Sequence, residues 1–576
     1  MRRTDRAGLL VESARIMLRN SRVVWGDALL KLPLSDRRSG TANHDVLFAY
    51  PGHLRPGTPE IGRRLLAGNF SFATARVPPT SGSPFLLTPP STRWAQELYG
   101  FHFLTHLVAE GSPAAYQLGI KLISEFGTMQ LDRKPAARAP HIIARRLMRW
   151  CQFLGQSRDR ITIVERSALL HQAGRDARLL SAKIELCEEG PAALEAALGL
   201  AISALWLSGC IDYLRPAIDK VGRELKRHIL VDGGPANRSP ETLSHILADF
   251  SALYQGLLDR DIEPPSIFSD YLPRMQAMLA FLCHSDGALS QFHGGGIRNA
   301  TEITPLLGRH KKRDALFTFA RRTGYQRMAI GKTNILVDTL APPKGLPSQE
   351  AHLSPLAFEF THGDDRLIIN CGANRMSGDD WHLATRGMAA HSCPTMERNM
   401  ANPFYAGGVI GRFIGPRLNV PSLDVTARRT DDESNIWLEA GHNYFVETHG
   451  VNVLRRLYLG DTGQDFRGED SFVPDRIKPF IGGSYAIRFH LHPDVTPTLQ
   501  AGGQSCLLIT RSGRGWQFRT RFAQNGRLFL EPSVYMNEFG EPQRTNQIVL
   551  QGDLTPHDCR VQWAFKFSGQ LNRRKR

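Results

Sequence analysis

The stretch AAHSCPTMERN, residues 389–399, places His391 in a segment with almost no helix or strand periodicity. An imidazole in such a segment can ligate a metal, move a proton, or sit buried with a backbone partner. A second histidine, His293 in QFHGGGIRN, falls on a glycine-rich rim five residues before Arg298. That pairing suits substrate contact or a plain loop histidine. In HNYFVETHG, His442 and Tyr444 stand two apart, where one could donate a proton or both could pack at a strand edge. Arg386, the cation nearest in sequence to His391, is expected at the surface.

Elements able to hold such residues are visible in the pattern. The chain has 576 residues, too many for one core, so two or three domains are expected. In the first half apolar residues recur at three- and four-residue spacing, as in 95–111, 142–155, 165–186, 194–207 and 267–283. That is the period of one helix face, and an array of helical hairpins fits it. The segment 240–258 has a helix start signal: Ser239 as N-cap, Pro240 in the first turn and Glu241 at the positive end of the dipole. From about residue 325 the texture changes to short alternating segments bounded by Gly, Asp, Asn or Pro. Examples are QRMAIG, TNILVDT, LAFEFTH, RLIINCG, NIWLEAG, AIRFHLHP, SCLLITRSG and WQFRTRF. Their number and β-branched or aromatic content predict an antiparallel sandwich.

Composition narrows the function classes. Hydrophobic residues make up 42% and charged residues 22%, the profile of a globular protein. Lys and Arg number 71 against 55 Asp and Glu, a net charge of +16 that favours an anionic partner. The basic residues are dispersed apart from the runs His310–Arg313 and Arg573–Arg576, without aromatic interleaving, so nucleic acid is not the expected partner. The eight cysteines form no C-x-x-C pair, which predicts free, mostly buried thiols. Asp5, Glu12 and Arg15 interrupt the N-terminal stretch, so no export signal is read there. Residues 193–211 are the most apolar run, but Glu195 lies inside it, and a buried helix is expected rather than a transmembrane segment.

Several motifs, in order, resemble the heparinase II/III-like polysaccharide lyases, as found in divergent bacterial proteins. RRLMRWCQFL resembles an Arg-rich, Trp-containing helix of that family, and DGGPANRSPETL (232–243) its Asp-Gly…Glu-Arg-Ser-Pro loop. EAHLSPLAFEF (350–360), RLIINCG (366–372) and AAHSCPT (389–395) follow the order of its sandwich signature. HNYFVETHGVNVLRRLYL and AIRFHLHP are similar to its later strands. The similarity runs from about residue 95 to residue 550. It implies an α+β multidomain fold: an α/α toroid over 1–297, a linker over 298–324, an antiparallel β-sandwich over 325–570 and a basic tail over 571–576. It also implies a substrate site at a cleft between toroid and sandwich.

Such lyases cleave an acidic, uronic-acid-containing polysaccharide by β-elimination. The carbon acid is weak while its carboxylate is ionised, so the carboxylate must be neutralised and the enolate stabilised. A base and an acid are needed as well. By resemblance, His352 and His391 match two metal ligands of the sandwich. The intervening family Asp falls at Asn370, so zinc is possible there but not required, and a hydrogen-bonded His352/Asn370/His391 cluster is the alternative. The departures are substantial. Glu350 stands where a first histidine is usual and Thr242 where a tyrosine base is expected, while EEGPAALEAA (188–197) lacks an Asn-His pair. The remaining candidates are His391, His352 and Tyr444 for proton transfer, with Asn237, Arg238, His293 and Arg298 for substrate binding. Asn237 stands at the family's Glu position.

Two functions follow from this reading: a lyase of acidic polysaccharides, or a catalytically degenerate glycan-binding or scaffold protein of the same fold. The resemblance implies the cell envelope or periplasm, and the missing export signal leaves the cytoplasm as the alternative.

Overall fold

The computed structural model describes residues 14, 18, 21, 46–48, 57–72, 77–129, 134–187, 190–310, 317–373, 379–397, 403–404, 417–420, 423–432, 434–523, 526–537, 541–557 and 559–570. The basic tail 571–576, Lys311–Arg313 of the central basic run and most of the N-terminal stretch lie outside the described residues. The chain forms two compact units, one of residues 1–229 and 244–276, the other of 230–243 and 277–576. This division differs from the one expected. Residues 230–243 and 277–297 group with the sandwich, because the side chains of Arg238, His284 and His293 are bonded into it.

The first unit is helical. Proline at the first turn starts Pro113–Gly127, Pro140–Gln156 and Pro191–Trp206, where its missing N–H costs nothing. Thr162 and Glu165 form a reciprocal capping box at the head of Ile163–Lys183. The apolar run at 193–211 is a buried helix, Pro191–Trp206, and Glu195 within it is held bidentately by Arg145 at 2.7 and 2.8 Å. In the Arg-rich helix, buried Arg146 meets Asp176 at 2.6 Å and the carbonyls of Tyr99 and Ala137. The single helix expected over 95–111 is two, Thr92–Tyr99 and Leu104–Glu110. Phe101 breaks it at φ +58°, which lets its ring pack on Phe103, Phe126 and Trp150. Among the described residues no helix is long and apolar enough to cross a membrane.

The second unit is the antiparallel sandwich. Among the described residues one sheet of nine strands runs in the order Phe319–Ala320, Tyr325–Ile330, Thr333–Asp338, Phe358–His362, Asp365–Ile369, Ser484–Leu491, Pro542–Asp553, Gly526–Met536, with Pro394–Met396 also on Ser484–Leu491. The other, of eight, runs Val495–Leu499, Ser505–Thr510, Arg514–Phe522, Cys559–Gln570, Asp465–Pro474, Val451–Leu459, Ile436–His442, Val425–Asp431. Period-two alternation aims aromatic residues of both sheets inward. Phe358 stacks on Trp563 with centroids 5.7 Å apart, and Phe360 meets Phe466 and Trp516 edge-on at 5.3 and 5.1 Å. All eight cysteines are free thiols, seven of them buried.

A buried ion pair joins two neighbouring strands of the eight-stranded sheet, Val451–Leu459 and Asp465–Pro474, where Arg455 and Asp470 stand opposite each other. Arg455 donates to Asp470 at 2.6 and 2.9 Å, and its remaining reach takes the carbonyls of Leu356 and Ser392 on the opposite side. Trp563 Nε1–H adds a third donor to Asp470. Removing one partner strands a charge, so Asp470→Ala should destabilise the protein by about 3–5 kcal/mol in urea unfolding. Arg455→Met combined with Asp470→Leu should recover most of that loss; a double variant as unstable as the single would contradict this account.

Candidate functional site

The loop 230–238 is held to the sandwich before the helix Pro240–Leu258 begins. Asp232 accepts from the backbone N–H groups of Arg322 and Thr323 at 2.9 and 2.7 Å and from the Thr323 hydroxyl at 2.8 Å. A Cβ at Gly234 would overlap that same hydroxyl, which fixes glycine there. Asn237 Oδ1 accepts from the N–H of Ser239 at 3.2 Å, and its Nδ2 donates to Thr242 at 3.0 Å. Ser239 Oγ in turn accepts from the N–H of Thr242, so the start signal read at Ser239 works as an N-cap.

Arg238 turns inward with φ +61° and is 2% exposed. Its five N–H donors are spent: Nε on the Thr323 carbonyl, Nη1 on the carbonyls of Leu340 and Ala341, Nη2 on the Gly324 carbonyl and on Asp338 Oδ1. Tyr325 lies beneath the guanidinium and donates its hydroxyl proton to the Arg238 carbonyl at 2.6 Å. Nothing of this cation is left for a substrate carboxylate.

From Asp338 the network runs into the histidines. His293 Nε2 stands 3.0 Å from Asp338 Oδ2, and its Nδ1 accepts from the backbone N–H of His352 at 3.2 Å. An accepting Nδ1 places the ring proton on Nε2, where it donates to the carboxylate. Burial and the Arg238 charge lower the His293 pKa, opposed by Asp338, so the ring is neutral. It is 1% exposed, so the loop histidine lies in the interior, on neither an exposed loop nor an open rim. Gly294, at φ +76°, donates its N–H to His352 Nε2 at 2.9 Å. Arg298 binds Glu241 at 2.6 and 3.1 Å and Glu302 at 3.0 Å.

His352 and His391 come together, with ring centroids 4.9 Å apart and neither ring exposed. Because His352 Nε2 accepts, its proton sits on Nδ1, which finds no partner among the described residues. Among the described residues His391 has only the Thr385 carbonyl as a hydrogen-bonding neighbour, outside ordinary geometry. Burial first, and then the nearby His490 and His293, lower the His391 pKa to about 3, with Asp338 and the Thr385 carbonyl opposing. Burial and the neighbouring His391 hold His352 well below the usual range.

Asn370 joins the cluster through its backbone neighbourhood and spends both ends of its amide. Oδ1 accepts from the N–H of Ser392 at 3.1 Å, and Nδ2 donates to Glu359 Oε1 at 3.0 Å. Glu359 also takes His284 at 2.6 Å and the N–H of Gln291 at 3.1 Å. This donor set does not fit zinc. Its two imidazoles lack an anionic third ligand, His352 already uses Nε2, and both nearby carboxylates are committed elsewhere. Among the described residues no three His, Cys, Asp or Glu side chains are grouped to hold a metal.

Tyr444 stands apart in its contacts: its N–H donates to His442 Nδ1 at 3.3 Å and its ring packs edge-on to Phe445. Burial pushes its hydroxyl up to about 12. Arg386 is 1% exposed, contrary to its expected surface place, and donates to the carbonyls of Ala351 and Ser348. It thereby fastens the segment carrying His352. Sequence reasoning missed Asp338, Glu359 and His284. The signal for two of them was a carboxylate next to apolar strand residues, Asp338 after Ile-Leu-Val in TNILVD and Glu359 between phenylalanines in LAFEF.

Two expectations follow from the neutral imidazoles. His391, His442 and His490 are each lowered by burial to about 3. The unfolded chain therefore takes up protons near pH 6.5 that the fold refuses, and stability present above that pH is lost as pH falls toward 3. Urea midpoints should drop between about pH 6.5 and pH 5, above the range where exposed carboxylates titrate, and less steeply in His391→Gln; a flat profile would refute this. Protein purified with zinc and then dialysed should retain no stoichiometric metal, and chelator should leave its unfolding midpoint unchanged.

Comparison with known proteins agrees with this architecture. Residues 312–564 match the family described as Heparinase II/III-like, C-terminal. The chain is 27% identical over 532 residues to the FtsZ-localized protein C of Caulobacter vibrioides (strain NA1000 / CB15N), covering 90% of this chain and 89% of that one. In fold it is similar to the crystal structure of heparinase III, with a TM-score of 0.69 at 11% identity over 98% of this chain and 92% of that one. A heparan sulfate lyase HepC mutant from Pedobacter heparinus superposes with a TM-score of 0.59 at 13% identity, over 98% and 91% of the two chains.

Proposed function

Through residues 312–564 the chain is a divergent member of the heparinase II/III-like family, and from that premise we propose that it binds an acidic polymer without cleaving it. One observation carries the reading. Arg238, the cation matched to the family loop, gives all five of its N–H donors to protein acceptors. A uronate bound beside it would have to break several buried hydrogen bonds to be neutralised. The available bases are no better suited. A histidine lowered to about 3 is a feeble base at neutral pH, and a tyrosine raised to about 12 keeps its proton.

The net charge of +16 supports an anionic polymer, an acidic polysaccharide above all, as the partner. A relative named for its localization to FtsZ supports a binding or scaffold role, since localization to another protein needs no lyase chemistry. It also favours the cytoplasmic alternative over the cell envelope.

A second reading, lyase action by β-elimination, draws on the adjacent His352 and His391 rings, where His352 Nδ1 has no partner among the described residues. In it those two imidazoles and Tyr444 would move the protons. Both readings meet in one experiment. Purified protein, with and without zinc, is incubated with a panel of uronate polymers while unsaturated-uronate absorbance and binding are recorded across salt concentrations. We expect salt-sensitive binding and no absorbance. Absorbance that grows with time and disappears in His391→Ala would establish the lyase instead, and absence of both signals would end both readings.

A further inference from the structure

A cavity of about 470 Å³ opens within the second unit, in the size range of small-molecule sites. Asp286, Asp364, Asp365, Arg366, His492 and Tyr535 line it, with Asp494 beside them. None of these residues belongs to the histidine cluster. In a chain of net charge +16, four carboxylates and one guanidinium line this cavity.

Part of this charge is already committed. Arg366 donates through Nε to Asp286 at 2.7 Å and through Nη1 to the Tyr535 hydroxyl at 3.2 Å. Asp365 takes Arg514 at 2.9 Å together with the hydroxyls of Thr510 and Ser512. Two carboxylates are left weakly engaged. Asp494 lies 3.9 Å from the exposed Arg511 and 3.7 Å from His492, and Asp364 has no ion pair among the described residues.

The cavity also offers hydrogen-bond donors. Tyr535 is 3% exposed and its oxygen accepts from Arg366, which leaves its own proton without an acceptor among the described residues. His492 Nδ1 accepts from the N–H of Asp494 at 3.2 Å, placing the ring proton on Nε2, which has no hydrogen-bond partner among the described residues. Burial and Arg366 lower His492 to about 4, so at neutral pH it adds no positive charge. Donors suited to hydroxyl oxygens thus stand with two carboxylates suited to a cation.

We propose that this cavity binds a small hydroxylated molecule carrying a protonated primary amine, with Tyr535 and His492 donating to its hydroxyls and Asp364 and Asp494 receiving the ammonium. This goes beyond the acidic-polymer reading and calls for a ligand of opposite charge, so either can fail alone. An amino sugar meets both requirements, and a linear polyamine, which carries ammonium groups but no hydroxyl, is the control.

The full chain is titrated with glucosamine, spermidine, N-acetylglucosamine and glucuronate by calorimetry, at low ionic strength and below neutral pH. Glucosamine should bind at least about tenfold more tightly than N-acetylglucosamine, and glucuronate should not bind. Asp364→Asn with Asp494→Asn should weaken glucosamine by about tenfold or more while near-ultraviolet circular dichroism stays unchanged. Tyr535→Phe should weaken glucosamine and leave spermidine unaffected. Spermidine binding in preference to glucosamine would overturn the hydroxyl contacts and with them the proposal. Binding of neither amine, equal binding of N-acetylglucosamine or glucuronate, or an unaffected double variant would overturn the proposal.

Discussion

The arrangement of the histidine cluster depends on Asp338 holding Arg238. Both are almost wholly buried, and their association is what makes either charge tolerable in the interior. Burial acts to raise the Asp338 carboxyl, but Arg238 and His293 outweigh it and keep it ionised. From that one carboxylate the order propagates. Asp338 orients His293, His293 receives the backbone of His352, and the adjacent Gly294 fixes the tautomer of His352. Arg238 meanwhile gathers four carbonyls around residues 323–341.

Such a network stabilises by pairing its buried charges, and the same pairing limits chemistry. A general acid or base must face its substrate with a pKa near the working pH. Here His391 and His352 lie in the interior as neutral rings, and the carboxylates that could activate them are occupied by Arg238, His284 and backbone amides. Replacing an acid by Asn370 fits this environment. An amide can satisfy both Ser392 and Glu359, where a second carboxylate next to Glu359 would be repelled.

The second unit therefore carries two polar regions of different character. One is the buried network around Asp338 and Glu359, in which both carboxylates are paired inside the protein while His352 Nδ1 is left without a partner among the described residues. The other is an open cavity where Asp364 and Asp494 are incompletely paired and Tyr535 and His492 retain donors.

Much of the fold could be read from the residues. Three- and four-residue spacing fixed helices in the first half, period-two alternation fixed strands from about residue 325, and Ser239-Pro240 marked a helix start, because these are local backbone preferences written along the chain. The ordered motifs also placed His352 and His391 in one cluster, as found at 4.9 Å. What the sequence could not decide was how each polar side chain is spent. Nothing near Arg238 in the chain announces Asp338, one hundred positions on, or the carbonyls that take its other donors. The burial of Arg386 and His293 and the grouping of 277–297 with the sandwich have the same origin. Hydrogen-bond satisfaction is a property of the packed interior, where distant segments meet, so only the tertiary structure could assign it.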